Sequence, residues 1–444
     1  MSAVPAHQRN SLDLPGAVEA ARAAYAAKRP RSAALHAGAL EVLGGGNTRS
    51  VIAYSPFPTA MTRGEDCRLW DLDGHAYLDL CGEFTAGLFG HSEPRIHAAL
   101  HEVLKRGINF ASVGPGEERL ARLLCGRFPS LERVRFTNSG TEANLMALTA
   151  ARAFTGRPKV LVFRGGYHGG VLTFPVVGAS AATLPLPFLY ADFNDAEGAA
   201  AVARAHAAEL GVILVEPMQG SAGCIPARPG FLAALRALAD ETGALLIFDE
   251  VMTSRHAGGG LQARLGITPD MTTLGKYIAG GMSFGAFGGR ADIMAQFGAG
   301  LAHAGTFNNN LLSMTAGGVA MGEIFTAEVA EALFQRGEAL RARLNGVTQS
   351  AGLPMCFTGA GSMLTVQFRA TPPERASVPT PGEEALRELF FFDMLEAGIY
   401  LARRGMVALS LPVGEAELDR FVTAVADFVD NRAEQIAGGG VGAG

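Results

Sequence analysis

Between about residues 110 and 290 short apolar runs alternate with longer Ala/Leu/Arg stretches at helical spacing. The runs "RVRFTN" (133–138), "KVLVF" (159–163), "VILVE" (212–216) and "ALLIFDE" (244–250) are almost unbroken in apolar residues, as strands covered on both faces require. Helical patterns fit between them, among them "TEANLMALTAARAFTG" from Thr141 and "GFLAALRALADETG" from Gly230. This alternation predicts βαβ units, hence an α/β fold with a mainly parallel central sheet.

Outside that stretch the pattern is less regular. Before residue 90 it predicts a helix near 15–28, a Gly/Asn loop "LGGGNTRS", and short strands around "CRLWDLDG" and "AYLDL". After residue 326 it predicts a helix over "AEVAEALFQRGEALRARLNGV", a strand at "SMLTVQF", a helix near 383–397 and a last one over "GEAELDRFVTAVADFVDNR". Both flanks, 1–75 and 326–444, are expected to pack together as a smaller α+β domain beside a large domain over 76–325. No internal repeat of 20 to 50 residues is present. The tail "GGGVGAG" is expected to be disordered.

With 444 residues, 48% of them hydrophobic, the chain can bury a large core. A net charge of -5 supplies no general attraction to nucleic acid or anionic membrane, and neither partner is expected. No apolar run approaches a membrane span and the start lacks a secretory signal, which predicts a cytoplasmic protein. Five scattered cysteines without a CxxC fit reduced thiols rather than disulfides or a zinc site, and no metal is expected. Lysine is scarce: four lysines among 37 Lys+Arg leave 33 arginines. Three lysines have an arginine within two positions, whereas Lys276 in "TTLGKYIAGG" stands alone. Lysine, unlike arginine, can shed its proton and attack a carbonyl, so Lys276 is the candidate for chemistry.

In "FTNSGTEAN" a strand ends at Asn138, and Ser139, Gly140 and Thr141 start a helix. Free backbone N–H groups, two hydroxyls and the positive helix end converge there, which suits a phosphate. An ordinary helix cap explains the same residues. In "LLIFDEV", strand alternation puts Asp249 and Val251 on one side and Glu250 on the other. Ligands of open α/β sheets bind at such carboxyl ends. Lys276 follows Asp249 by 27 positions. Together an anion cradle, a strand-end acid and an isolated amine meet the needs of pyridoxal 5′-phosphate (PLP), which requires all three.

The segments "RFTNSGTEANLMALTAAR", "FRGGYHGG", "VEPMQG", "FDEVMTSR", "TTLGKYIAGGMSFGAFGGR" and "HAGTFNNN" resemble the class III, fold type I PLP-dependent aminotransferases. Within that family they are most similar to the branch holding β-amino-acid (β-phenylalanine) aminotransferases and glutamate-1-semialdehyde aminomutases. The resemblance implies that Lys276 is the Schiff-base lysine and proton carrier, and that Asp249 pairs with the pyridinium. It further implies that Ser139, Gly140 and Thr141 bind the phosphate, and that Tyr167 and Val251 cover the two ring faces. Glu216 and Gln219 support the cofactor, while His168 beside Tyr167 is either functional or a buttress. Thr306 resembles the residue that reaches the neighbouring subunit's phosphate, which implies a homodimer with shared active sites.

Two arginines bear on the substrate. Arg49, in "GGGNTRSV", suits a substrate carboxylate with its planar fork, and Arg404, in "YLARRGMVALS", resembles the arginine that holds a keto acid acceptor. Neighbouring Arg403 leaves that register open. "EFTAG" and "YSPFP" offer an apolar wall for an aryl or alkyl group. The expected reaction moves the amine of a β-amino acid, aromatic and β-phenylalanine-like, to 2-oxoglutarate or pyruvate. The alternative is a glutamate-1-semialdehyde-type aminomutase, which needs no second anchor. A nicotinamide-dependent oxidoreductase is disfavoured because no G-x-G-x-x-G lies between a strand and a helix, and a non-catalytic binding protein because Lys276 and Asp249 are both present.

Overall fold

The computed structural model describes residues 13–439. A seven-stranded sheet forms the centre, with spatial order Arg133–Thr137, Gly285–Gly289, Met271–Gly275, Leu245–Asp249, Leu210–Val215, Lys159–Phe163, Phe188–Ala191. Six of the strands run in one direction and Gly285–Gly289 runs against its two neighbours. The connection 276–284 is too short for a crossover helix, so the chain returns antiparallel. All four expected strands are present, with ends shifted by at most two residues.

Strand alternation divides the core into two apolar layers. Leu161, Ile213, Val215, Leu246 and Phe248 face one of them; Val160, Val162, Val212, Leu214, Leu245 and Ile247 face the other. Helices Ala196–Ala205 and Phe231–Thr242 cover the first layer and Gly140–Thr155 the second. Double coverage explains why these strands have no polar alternation.

Three strands of the central sheet lie beyond what periodicity predicts, "FLYA", "MTTLG" and "GAFGG". Glycine disfavours strands, yet a Cβ on Gly285 would stand 2.1 Å from the Ser139 carbonyl oxygen. Close approach to the start of helix Gly140–Thr155 therefore requires glycine there.

In the flanks, helix Leu14–Lys28 is capped by Asp13, whose Oδ1 accepts the Gly16 N–H at 2.9 Å, and it packs on helix Pro381–Glu396. A second helix, Pro30–Val42, follows directly and was not expected. A four-stranded sheet joins Met61–Glu65, Arg68–Asp71 and Ala76–Asp79 to Ile399–Tyr400, so both flanks contribute to one sheet. Its third strand lies just past residue 75. The strand over "SMLTVQF" is Met363–Gln367, paired with Cys356–Ala360 and Met406–Ala408. Gly438 and Gly439 of the expected disordered tail belong to helix Ala433–Gly439, where Gly439 packs near Leu386 and Leu14; residues 440–444 lie outside the described residues. Among the described residues no helix is long and apolar enough to cross a membrane.

Candidate active site

Helix Gly140–Thr155 starts at the carboxyl end of strand Arg133–Thr137. Ser139 Oγ accepts the Glu142 N–H at 3.1 Å, and Glu142 Oε2 accepts the Asn138 N–H at 2.9 Å. Ser139 is thus a true helix cap, and its hydroxyl proton is still free to be donated. The first-turn amides of Gly140 and Thr141 have no carbonyl within the helix to meet. A Cβ on Gly140 would stand 2.9 Å from Val251 Cγ1, so glycine lets the strand-end valine lie against this turn. Gly169, at φ +123°, approaches the same turn from the other side; its Cβ would stand 2.2 Å from Thr141 Oγ1.

Asp249 ends its strand nearly fully buried. Its Oδ2 accepts the Asn144 amide at 2.8 Å and lies 2.8 Å from His168 Nδ1, while Oδ1 accepts the Val251 N–H at 3.0 Å. Thr273, on the adjacent strand, donates its hydroxyl to Asn144 Oδ1 at 2.8 Å. Burial opposes a charge on His168, but the hydrogen bond and charge of Asp249 outweigh it and hold its pKa above the usual imidazole value. Glu250 points away: its carboxylate accepts N–H groups from Leu261 and Gln262, at 2.6 and 2.9 Å.

Glu216 is buried beside this network. It accepts the Tyr167 N–H at 2.9 Å and the Gly220 N–H at 3.0 Å, and burial pushes its pKa up to about 7. Tyr167 is 45% exposed. Gln219 donates to the Arg164 carbonyl at 3.0 Å, and its buried Oε1 has no hydrogen-bond partner among the described residues.

Lys276 directly follows strand Met271–Gly275, in the left-handed region at φ +55°. Its Nζ donates to the Phe84 carbonyl at 2.7 Å. Burial, helped by the charge of Arg404, lowers its pKa to about 8. The Phe84 ring is in contact with two cations, with Arg49 Cζ 5.3 Å and Arg404 Cζ 5.5 Å from its centroid. Arg49 pairs with Glu83. Arg404 donates to Met406 Sδ at 3.2 Å, and its buried Nε has no partner among the described residues. Arg403 turns elsewhere, to Glu388 at 2.9 Å, so Arg404 is the arginine that faces Phe84.

Contacts therefore join Arg49, Phe84, Lys276 and Arg404 in one group, and Asp249, Val251, His168, Tyr167 and Glu216 in another that leads through Val251 to Gly140. Thr306 is not in contact with either; it is exposed on the loop before Asn308, whose Oδ1 accepts the Asn138 amide at 3.0 Å. Phe84 lies in "EFTAG", expected only as part of an apolar wall and not as the partner of Lys276, and Asn144 was missed. Asn144 had a signal, as a polar side chain on the apolar face that helix Gly140–Thr155 turns to the sheet.

The class-III aminotransferase family model matches residues 52–428. The chain is 54% identical over 390 residues to the β-phenylalanine transaminase of Variovorax paradoxus, covering 87% of this chain and 89% of that one. Its structure superposes on a crystal structure of a β-phenylalanine aminotransferase from Variovorax paradoxus with TM-score 0.93 and 50% identity, covering 95% and 98% of the two chains. A transaminase solved with PLP bound gives TM-score 0.83 at 34% identity, covering 92% and 99%. With the strand-end acid, the helix-start cradle and the desolvated lysine in place, the chain belongs to the class-III aminotransferases, with the fold type I architecture and the PLP dependence of that family.

Proposed function

We propose that the protein transfers the amino group of a β-amino acid, aromatic and β-phenylalanine-like, to 2-oxoglutarate or pyruvate. The observation that carries this reading is the pair of guanidinium groups, Arg49 and Arg404, both packed on the ring of Phe84, whose backbone carbonyl holds Lys276. A transaminase admits two unlike carboxylates in turn at one amine, and two planar cations near that amine suit the task. The similarity to β-phenylalanine transaminase supports the choice of donor.

The residues fit PLP. Glycine at 140 lets Val251 lie against the helix-start cradle, the buried Gln219 Oε1 and Arg404 Nε atoms lack partners among the described residues, and Tyr167 is half-exposed. In this reading Ser139, Gly140 and Thr141 bind the phosphate, joined by Thr306 of the partner subunit. Tyr167 and Val251 cover the ring, Glu216 and Gln219 brace it, and Asp249 serves its pyridine nitrogen. When bound, the cofactor supplies an aldehyde that takes up amines and a ring that accepts electrons. Lys276 would hold that aldehyde, and its free amine would take the proton from the amine-bearing carbon of the donor and return one to the acceptor. A pKa near 8 leaves a useful fraction of the amine neutral for both tasks. Arg49 fixes the donor carboxylate and Arg404 that of the keto acid.

A homodimer belongs to the same proposal. Ile108, Phe110, Val113 and Phe307 are exposed apolar side chains, and Asn309 ties their two segments together by donating to the Ser112 carbonyl at 3.1 Å. An apolar surface around Thr306 fits a second copy. The division into a large domain over 76–325 and a smaller one from both flanks is part of this reading, supported by the sheet the flanks share.

The test supplies β-phenylalanine with 2-oxoglutarate or pyruvate to the PLP-loaded protein. Formation of glutamate or alanine is expected; no transfer to either acceptor, or a rearranged product without any acceptor, overturns the proposal. Borohydride treatment followed by peptide mass spectrometry should leave the cofactor's mass on Lys276 and on no other lysine.

A further inference from the structure

Residues 82–85 form a feature the reaction does not by itself require. Gly82, Glu83, Phe84 and Thr85 have φ of +51°, +47°, +52° and +82°, a full left-handed turn in which three residues are not glycine. Such a run is strained and persists only where the surroundings impose it. Here Asp79 imposes it: its Oδ1 accepts the Cys81 and Gly82 N–H groups at 2.9 and 3.0 Å, and its Oδ2 lies 2.8 Å from His91 Nε2. The Phe84 N–H donates to the Cys81 carbonyl at 3.0 Å, and the Gly87 N–H to the Gly82 carbonyl at 2.9 Å. The turn aims three neighbouring groups at the site: the Phe84 carbonyl at Lys276, the Phe84 ring at both arginines, and the Glu83 carboxylate at Arg49.

The two arginines are consequently unequal. Arg404 is partly buried, touches no carboxylate among the described residues, and has a buried Nε without a partner among them. Arg49 is already taken by Glu83. That pair is open to water, with the Arg49 and Glu83 side chains 44% and 55% exposed, so it is screened and weak for an ion pair.

We propose that Glu83 is a built-in counter-ion of Arg49 which a substrate carboxylate must displace, so that Glu83 sets how strongly carboxylates bind at Arg49 but not at Arg404. This rests on the assignment of Arg49 as a carboxylate anchor. An arginine held by a weak internal partner stays ordered while the site is empty, and only a ligand with its own carboxylate gains by opening the pair. Amines without a carboxylate leave it closed. Glu83 is in this sense a specificity residue acting through Arg49.

The test uses the PLP-loaded protein and its Glu83→Gln variant, which keeps size and turn but loses the charge. Calorimetric titration with 3-phenylpropionate, a carboxylate without an amine, is expected to show binding about three-fold tighter in the variant. The ratio of KM for β-phenylalanine to KM for 1-phenylethylamine, which has no carboxylate, should fall by a similar factor of about three. Adding Arg49→Ala to the variant should abolish both gains. Unchanged or weaker 3-phenylpropionate binding, with wild-type protein that does transaminate β-phenylalanine, overturns the role of Glu83 alone; wild-type protein inactive on β-phenylalanine strikes the function proposed above instead. Should Glu83→Gln lose its cofactor, Glu83→Asp, too short to cover Arg49, is titrated in its place, and the same criteria decide.

Discussion

The Phe84 carbonyl accepts a hydrogen bond from Lys276 Nζ at 2.7 Å, joining residues 192 positions apart in the chain. A carbonyl stabilises the protonated amine, yet burial and the nearby Arg404 charge outweigh it and bring the pKa to about 8. Capture of PLP by cofactor-free protein should therefore speed up about ten-fold per pH unit below 8 and level off above it, because only the neutral amine attacks. Stopped-flow absorbance across pH 6 to 10 checks this. The stability consequence has a definite sign. A depressed lysine pKa means that the unfolded chain keeps a proton between pH 8 and 10.5 that the folded chain has lost, so stability rises with pH across that window. Cofactor-free Lys276→Met should exceed the wild type by roughly 1–3 kcal/mol at pH 7 and lose that advantage by pH 10.5.

Glu216 titrates in the opposite sense. Burial raises its pKa from 4.5 to about 7, so the folded protein holds a proton there that the unfolded chain has released. The associated stability is complete below pH 4.5 and gone above pH 7. Glu216→Gln removes the titration. The difference in melting free energy between wild type and variant should shrink by on the order of 1–3 kcal/mol as pH rises through that window, as denaturant melts at several pH values will show.

Gly169 and Gly170 offer a matched pair. An alanine at 169 must adopt φ +123° and place its Cβ 2.2 Å from Thr141 Oγ1, whereas at 170 nothing lies within 4 Å. Gly169→Ala should weaken PLP retention at least about ten-fold and lower stability by about 1–3 kcal/mol, with Gly170→Ala close to wild type. Dialysis against buffer, followed by absorbance of the retained cofactor, distinguishes the two.

Asn144 bridges Thr273 and Asp249 with hydrogen bonds of 2.8 Å on each side. Asn144→Ala strips one donor from a buried carboxylate at a cost of about 1–3 kcal/mol. Asn144→Asp, which sets a second carboxylate against the first, should be worse. Thermal melts and cofactor affinity measured on both variants test the order wild type, alanine, aspartate.

How far the molecule could be read in advance varies with the physical signal. Strands such as Lys159–Phe163 and Leu245–Asp249 were legible because a sheet buried on both faces demands unbroken apolar runs. "GAFGG" was not, since its glycines answer to backbone approach rather than to strand preference. Helix Pro30–Val42 was hidden because a proline so soon after a helix signals its end, although proline is equally at home in a first turn. Within the site, Lys276, Asp249 and the Ser139 turn stood out through residue type and position. Phe84 was legible only as part of the apolar wall "EFTAG": its contacts with positions 49, 276 and 404 come from a left-handed backbone that non-glycine residues seldom adopt. Periodicity carries no trace of such pairings.

The sheet in which Ala76–Asp79 lies beside Ile399–Tyr400 also constrains how the molecule is made. A ribosome must pass residue 400 before the later strand exists, and Arg404 emerges only after it. Until then the nascent protein lacks its second guanidinium and one edge of the platform that leads into the Gly82 turn. A site with both guanidinium groups is thus assembled only from segments about 350 residues apart, the later of them made long after the lysine it serves.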